Sequence, residues 1–205
     1  MAGYADHVSD LRDRRNTQTR ADIVAAAIAL FTAKGFDSVS MEEVAAAAGV
    51  SRRTAYRHFA TKEDIVFHPV GDWFEILQAT VDDRGDDECT RDLLRRALHA
   101  IATHIESDPQ PVLDAFAVVA ASQPLMDRQG KTNADWIAFY AALIMADIGE
   151  EPDDVLAATV AGAALIGATT ALFPVWSSAA GRSSLTEMTT VVLDQIDSVW
   201  PDACR

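Results

Sequence analysis

Residues 51–64, SRRTAYRHFATKED, place Arg52, Arg53 and Arg57 within six positions. A guanidinium offers paired N–H donors that match guanine O6/N7 or a phosphate. If the stretch is one short helix, Arg52, Arg53, Thr54 and Arg57 lie on its outer side. Ala55 and Phe59, at i and i+4, form an apolar inner side. Tyr56 and His58 add a phenol and an imidazole near its end, and Lys62 adds a charge just beyond it. A helix of this kind can enter the major groove of duplex DNA if a second helix locks it from behind. The same cluster also suits an enzyme's anion site or a solvated basic face, so the surrounding elements must decide.

Enzymatic chemistry finds little support. The chain has no G-x-S-x-G, H-E-x-x-H or G-x-x-x-x-G-K-[ST] pattern and no glycine-rich turn after a strand. His99 and His104 are five residues apart and point to different helix faces. His68 and Asp72 do fall at i, i+4, but no third ligand accompanies them. No catalytic residue, metal or cofactor is expected. A helical protein with an unrecognised enzymatic site remains the alternative.

The elements that must hold the cluster are helical. Alanine dominates the apolar stretches over β-branched residues, which favours an all-α fold. Ile23, Ala27, Leu30 and Phe31 recur at helical spacing between Thr17 and Lys34, before a stop at Gly35. Ser40 followed by Glu43 reads as a capping box for a helix to about Ala48. Gly49 supplies the left-handed turn residue, Val50 drops into the core, and Ser51 caps the next helix at once. Together these make a helix-turn-helix. Thr61 with Asp64 repeats the capping signature for a fourth helix bearing Ile65, Val66, Trp73, Phe74 and Leu77. Further helices are expected from Thr90 to Glu106, Val112 to Ser122 (stopped by Pro124), Met126 to Asp147, and over 153–179 and 184–200, about nine in all.

Charge divides the chain. Residues 1–62 carry 9 Lys/Arg against 7 Asp/Glu and the remainder 8 against 24, so the net charge of -14 belongs to the C-terminal part. That asymmetry fits a nucleic-acid-facing segment joined to a domain with another task. The two cysteines, Cys89 and Cys204, suggest neither a disulfide framework nor a sulfur metal site, which fits a reducing cytoplasm. The first twenty residues lack a secretory apolar core. Residues 1–15 read as a flexible arm in which Arg12, Arg14 and Arg15 are the part suited to binding. Between Asp154 and Arg182 no charge occurs, enough by length to span a membrane. Its Ala, Gly and Thr content, Pro174 and acidic flank favour a core or subunit-interface helix instead.

The stretch VSMEEVAAAAGVSRRTAYRHFATKEDIV resembles the TetR family of bacterial transcriptional regulators. The resemblance rests on the A-x-x-A-G-V-S turn, the T-x-Y-x-H-F helix and the Lys three residues later, and spans about Ile23 to Val66. It implies a three-helix DNA-binding domain at 16–62 and a helical effector-binding and dimerisation domain at 63–205. Arg52, Arg53 and Thr54 stand where the family reads bases; Tyr56, His58 and Lys62 stand where it meets phosphate, and Ser40 joins that surface. Arg57 departs from a position often aromatic and is assigned to phosphate. The expected partners are double-stranded operator DNA, a small-molecule effector and a second copy of the chain, with no membrane. The expected activity is a repressor released from a pseudo-palindromic operator by a small apolar or aromatic effector. Candidate effector contacts are Trp73, Phe74, Leu77, Phe116, Trp136, Phe139 and Tyr140, with His99 or His104 as polar handle. Candidate dimer contacts are Val160, Ala164, Leu185, Met188, Val192 and Ile196.

Overall fold

The computed structural model describes residues 2–179 and 182–201, with side chains from residue 14 onward; the side chain of Arg12, and Cys204, lie outside the described residues. Ten α-helices and two 3-10 turns, with no strand, make up the described residues: α1 (Ala2–Lys34), α2 (Met41–Ala47), α3 (Arg52–His58), α4 (Lys62–Val66), α5 (His68–Asp82), α6 (Thr90–Ser107), α7 (Gln110–Ala120), α8 (Gln123–Ile148), α9 (Pro152–Ser178) and α10 (Leu185–Ile196). The all-α class is as expected, with one helix more than about nine. The chain divides into two compact units. The first holds residues up to His68 together with Ala117–Leu125, and the second holds Pro69–Phe116 with the residues from Met126 onward.

Three departures from the sequence reading have local causes. The helix expected to begin near Thr17 runs back to Ala2, so the backbone of the expected arm continues α1. No residue between Tyr4 and Asp22 is a proline or glycine, and nothing there breaks the helix. The expected fourth helix is split into α4 and α5, with Phe67 between them at φ -88 and ψ 8. Pro69 lacks the N–H that an unbroken helix would need there. Pro124, expected to stop a helix, instead sits in the first turn of α8, where no N–H is required.

In the first unit, Ile23, Ala27 and Phe31 of α1 are buried with Phe36, Val39, Val44, Ala55, Phe59 and Ile65. In the second, Leu77, Leu94, Ile105, Tyr140, Leu165, Trp176, Leu185 and Leu193 form one core drawn from α5, α6, α8, α9 and α10. Helices α8 and α9 approach closely at Gly162, where an added Cβ would stand 3.0 Å from the Ile137 carbonyl oxygen.

Two helix starts in the second unit are capped from distant helices. Asp147 of α8 accepts from the Thr90 amide at 2.6 Å and from Arg84 at 2.7 Å. Glu106 of α6 accepts from the Thr186 amide at 3.0 Å and the Thr186 hydroxyl at 2.8 Å, at the start of α10. Burial works to raise the Glu106 carboxyl, but hydrogen bonds from Thr186, Ser184 and Leu185 outweigh it and hold the group below the ordinary range. Glu106→Ala should therefore lower the free energy of unfolding by about 1–2 kcal/mol, a fall in Tm of roughly 2–8 °C by calorimetry. Because the folded carboxyl is depressed, that difference is full above the ordinary glutamate range and closes as pH falls through the lowered value.

Candidate nucleic-acid interface and effector core

The helix-turn-helix is fixed by side chains that its own sequence supplies. Ser40 caps α2: its hydroxyl accepts from the Glu43 amide at 3.2 Å while its own amide donates to Glu43 Oε2 at 3.0 Å. The Ser40 amide, then the Lys34 ammonium at 2.9 Å, hold the Glu43 carboxyl down at about 2. The expected DNA contact at Ser40 thus has its hydroxyl engaged in the cap. The turn follows at Gly49, with φ +67, a left-handed backbone that L side chains rarely adopt. Ser51 caps α3, accepting from the Thr54 amide at 3.1 Å.

Helix α3 buries Ala55 completely and is followed by buried Phe59 at 3% exposure. Its remaining residues face outward or stand at the rim. Arg52 is exposed, pairs with Glu42 of α2 at 2.9 Å and lies over the Tyr56 ring at 5.4 Å. Arg53 is exposed and makes no hydrogen bond or ion pair with the described residues. Thr54 is half-buried, its hydroxyl 2.8 Å from that of Ser51. Tyr56 is 40% exposed. Arg57 is exposed and approaches His58 Nε2 at 3.5 Å. Burial, then the charges of Arg57 and Arg20, push the His58 imidazole below its ordinary value. The arrangement can offer several unengaged N–H and O–H donors from one short helix to an acceptor-rich surface.

Lys62, half-buried, is engaged within the first unit. Its ammonium donates to the carbonyls of Phe36 at 2.8 Å and Val39 at 3.1 Å and sits 4.2 Å from the Phe36 ring centroid. It ties the start of α4 to the segment joining α1 and α2. Sequence reasoning also missed Arg20, whose guanidinium covers the Phe59 ring at 5.1 Å and meets His68 Nδ1 at 3.3 Å. Its position on α1 carried no motif that could have shown this.

In the second unit the predicted aromatics fall into two ring groups, with Phe74 45% exposed. Phe74 meets Trp136 and Phe139 edge-on, both at 5.8 Å, and Trp136 lies 5.5 Å from Tyr140. Burial raises the Tyr140 hydroxyl well above its ordinary value, so it stays protonated. Phe173, which the sequence reading left out, stacks on Trp73 at 5.6 Å and on Phe116 at 4.4 Å. Leu77 is buried in the adjoining core. His99 is not with this group: its Nε2 faces the Thr190 hydroxyl at 3.4 Å between α6 and α10. His104 is exposed, with no contact to the aromatic set among those described. Among the described residues no group of three or more His, Cys, Asp and Glu is placed to hold a metal.

The candidate dimer residues separate into two sets. Val160 is 46% exposed, and Ala164 is half-buried. Leu185 is buried, and Met188, Val192 and Ile196 pack on the unit's own core. The stripe of α10 contributes to the unit's own core, with Met188, Val192 and Ile196 half-buried. Open apolar positions include Leu156, Val160, Ala163, Gly167, Ala171 and Val175 on α9, at helical spacing, with Val155 beside them, and Val191 on α10.

A capped helix-turn-helix with outward donors, joined to an all-α unit with an aromatic core, defines a DNA-binding transcriptional regulator. Residues 23–68 match the family described as bacterial regulatory proteins, tetR family, and residues 88–201 match the MftR C-terminal domain. The chain belongs to the TetR family. It is 32% identical over 148 residues to the mycofactocin biosynthesis transcriptional regulator MftR of Mycobacterium tuberculosis, covering 72% of this chain and 75% of that protein. Its fold is similar to that of SmeT in complex with triclosan, with TM-score 0.62 and 19% identity over 92% of this chain and 97% of that one. It is likewise similar to Thermus thermophilus FadR, a TetR-family repressor in complex with lauroyl-CoA, with TM-score 0.59 and 18% identity over 86% and 92%.

The two carbonyl contacts make Lys62 a brace of the first unit. Lys62→Ala should lower its stability by about 1–3 kcal/mol, as for a hydrogen-bonded charge, read by thermal melting. The salt dependence of DNA affinity should change by less than the single phosphate contact expected from sequence; a full unit of slope lost without destabilisation would return Lys62 to the phosphate set.

Proposed function

We propose that the protein is a homodimeric repressor that leaves a pseudo-palindromic operator when a small apolar or aromatic effector enters the second unit. The observation that carries the reading is α3, seven residues long, with Ala55 sealed inside and unpaired Arg53 outside. In this reading α3 enters the major groove, Arg53, Arg52 and Thr54 read bases, and Tyr56, Arg57 and His58 meet phosphate. The DNA-binding domain ends near the break at Phe67, and the residues beyond form the effector and dimer domain. The aromatic set of Trp73, Phe74, Phe116, Trp136, Phe139, Tyr140 and Phe173 is the effector seat. That two solved proteins of this fold hold triclosan and lauroyl-CoA supports an apolar effector.

One such helix reads too few bases to select a site in a genome, so two copies are required. The open stripe of α9 is the face for the second copy. This helix is long and apolar enough to cross a membrane, and only 28% of its most apolar stretch is buried within one chain. Covering by a second copy in the cytoplasm accounts for that exposure, and the acidic start of α9 disfavours a lipid setting. The chemistry is that of binding, with no catalytic step.

DNA from immediately upstream of the chain's own gene should be retarded in a gel-shift assay and released by lauroyl-CoA or triclosan, with Phe173→Ala weakening release but not DNA binding. Release unaffected by Phe173→Ala would move the effector elsewhere, and absence of retardation of any duplex would remove the regulator's DNA reading. Leu156→Asp with Val160→Asp, both at exposed positions, should give a folded monomer in sedimentation. A dimer that persists would place the interface on another face.

A further inference from the structure

Tyr140 of α8 is 4% exposed, its ring 5.5 Å from that of Trp136 and 6.1 Å from that of Phe139. Its hydroxyl makes no hydrogen bond to any described residue. Buried phenols normally find a partner, because an unmet donor in an apolar setting is costly. Trp176, buried in the same core, meets that need by donating its indole N–H to the Ser183 carbonyl at 3.1 Å. Among the described residues, the side-chain polar atom that is both unbonded and sealed from solvent is Ser122 Oγ. The Tyr140 oxygen is therefore unbonded without being sealed: it ends an otherwise buried side chain at accessible space.

We infer that the Tyr140 hydroxyl is the polar anchor of the effector seat, and that the effector is a neutral molecule whose apolar or aromatic body carries a hydrogen-bond acceptor, such as a ketone, ester or ether oxygen. The inference rests on the effector reading above and narrows it. Burial keeps the phenol protonated, so its proton is available to donate. The indole N–H of Trp136, which can only donate, has no partner among the described residues either, and belongs to the neighbouring ring. A hydroxyl can also accept, but with an indole beside it the pair presents donors in excess. That excess selects an acceptor on the ligand. The surrounding rings of Phe74, Trp136 and Phe139 bring no charge to offset a carboxylate or an ammonium. His99, which the sequence offered as a polar handle, is turned to Thr190 instead. A pure hydrocarbon would fill the seat yet leave the hydroxyl unmet.

The test titrates the full chain with two probes of one shape, followed by intrinsic tryptophan fluorescence. Benzophenone has a carbonyl that accepts; diphenylmethane has a methylene in its place. Wild type should bind benzophenone about 10-fold more tightly. Tyr140→Phe should cut that preference to about 2-fold or less without weakening diphenylmethane. It should also melt no lower than wild type, since no internal hydrogen bond is lost. A preference missing from wild type, or one that survives Tyr140→Phe, would overturn the anchor and leave the seat standing. A lowered Tm with both probes weakened alike would do the same, by showing the hydroxyl to be structural. Probes that bind the Phe139→Ala, Phe173→Ala double variant as tightly as wild type, or that fail to bind wild type at all, would defeat the aromatic seat itself and the anchor with it.

Discussion

A helix of seven residues does not hold together alone in water, because one turn must be nucleated for few hydrogen bonds returned. Helix α3 exists because Ala55 and Phe59 are buried in the first unit's core and Ser51 closes its open end. Everything that faces DNA depends on that support. The brace of Lys62 on the Phe36 and Val39 carbonyls and the cover of Arg20 over Phe59 extend it from two sides. Both cations hold the reader still from within the first unit. A rigid reader loses less side-chain and backbone freedom on binding, which favours specific over adaptive recognition.

The second unit follows a different constraint, that of one long apolar helix with two faces. On one face of α9, Ala161, Gly162, Leu165, Leu172 and Trp176 are buried, and Gly162 permits the approach of α8. On the other, small and branched residues remain exposed over nearly six turns. Small side chains at Ala163, Gly167 and Ala171 let a partner backbone come close, while Leu156, Val160 and Val175 supply the apolar area at the ends. Pro174 falls next to Phe173, where the helix has one backbone donor fewer. The stacked rings of Trp73, Phe173 and Phe116 thus join α5 and α7 to the least firmly bonded part of α9.

What could be read from the sequence was what rests on local rules. The capping boxes at Ser40 and Thr61, the left-handed Gly49 and the inward pair Ala55 and Phe59 all appear in the structure where spacing put them, because each needs only neighbours within four residues. The predicted rings meet in two groups, Phe74 with Trp136, Phe139 and Tyr140, and Trp73 with Phe116 through Phe173, and Phe74 is 45% exposed. Long-range choices were not legible. The periodic stripe of α10 showed that one face is buried but not against what: Leu185 is buried in the unit's own core, and Met188, Val192 and Ile196 pack on it while half-buried. Lys62 looked outward because its carbonyl partners are more than twenty residues away. Phe173 was hidden inside an apolar run whose composition drew attention to the helix and away from the ring. The break at Phe67 was in principle readable from Pro69 alone.

The charge asymmetry takes on a sharper form in the structure. In the acidic second unit Arg84, Arg95 and Arg96 are each matched by carboxylates, Asp147, Asp194 and Glu88 among them. Those arginines organise helix packing and leave an excess of negative charge around them. In the first unit Arg15, Arg53 and Arg57 have no such partners among the described residues. An acidic body repels the phosphate backbone over most of the surface, and at ordinary ionic strength this repulsion acts within about 8–10 Å of each charge. Random contact with DNA is thereby suppressed wherever the chain is not meant to touch it. The few uncompensated guanidinium groups then set orientation as well as attraction, because they are the places where approach lowers the energy. Net acidity and DNA binding are in this way compatible: the first limits the second to one face.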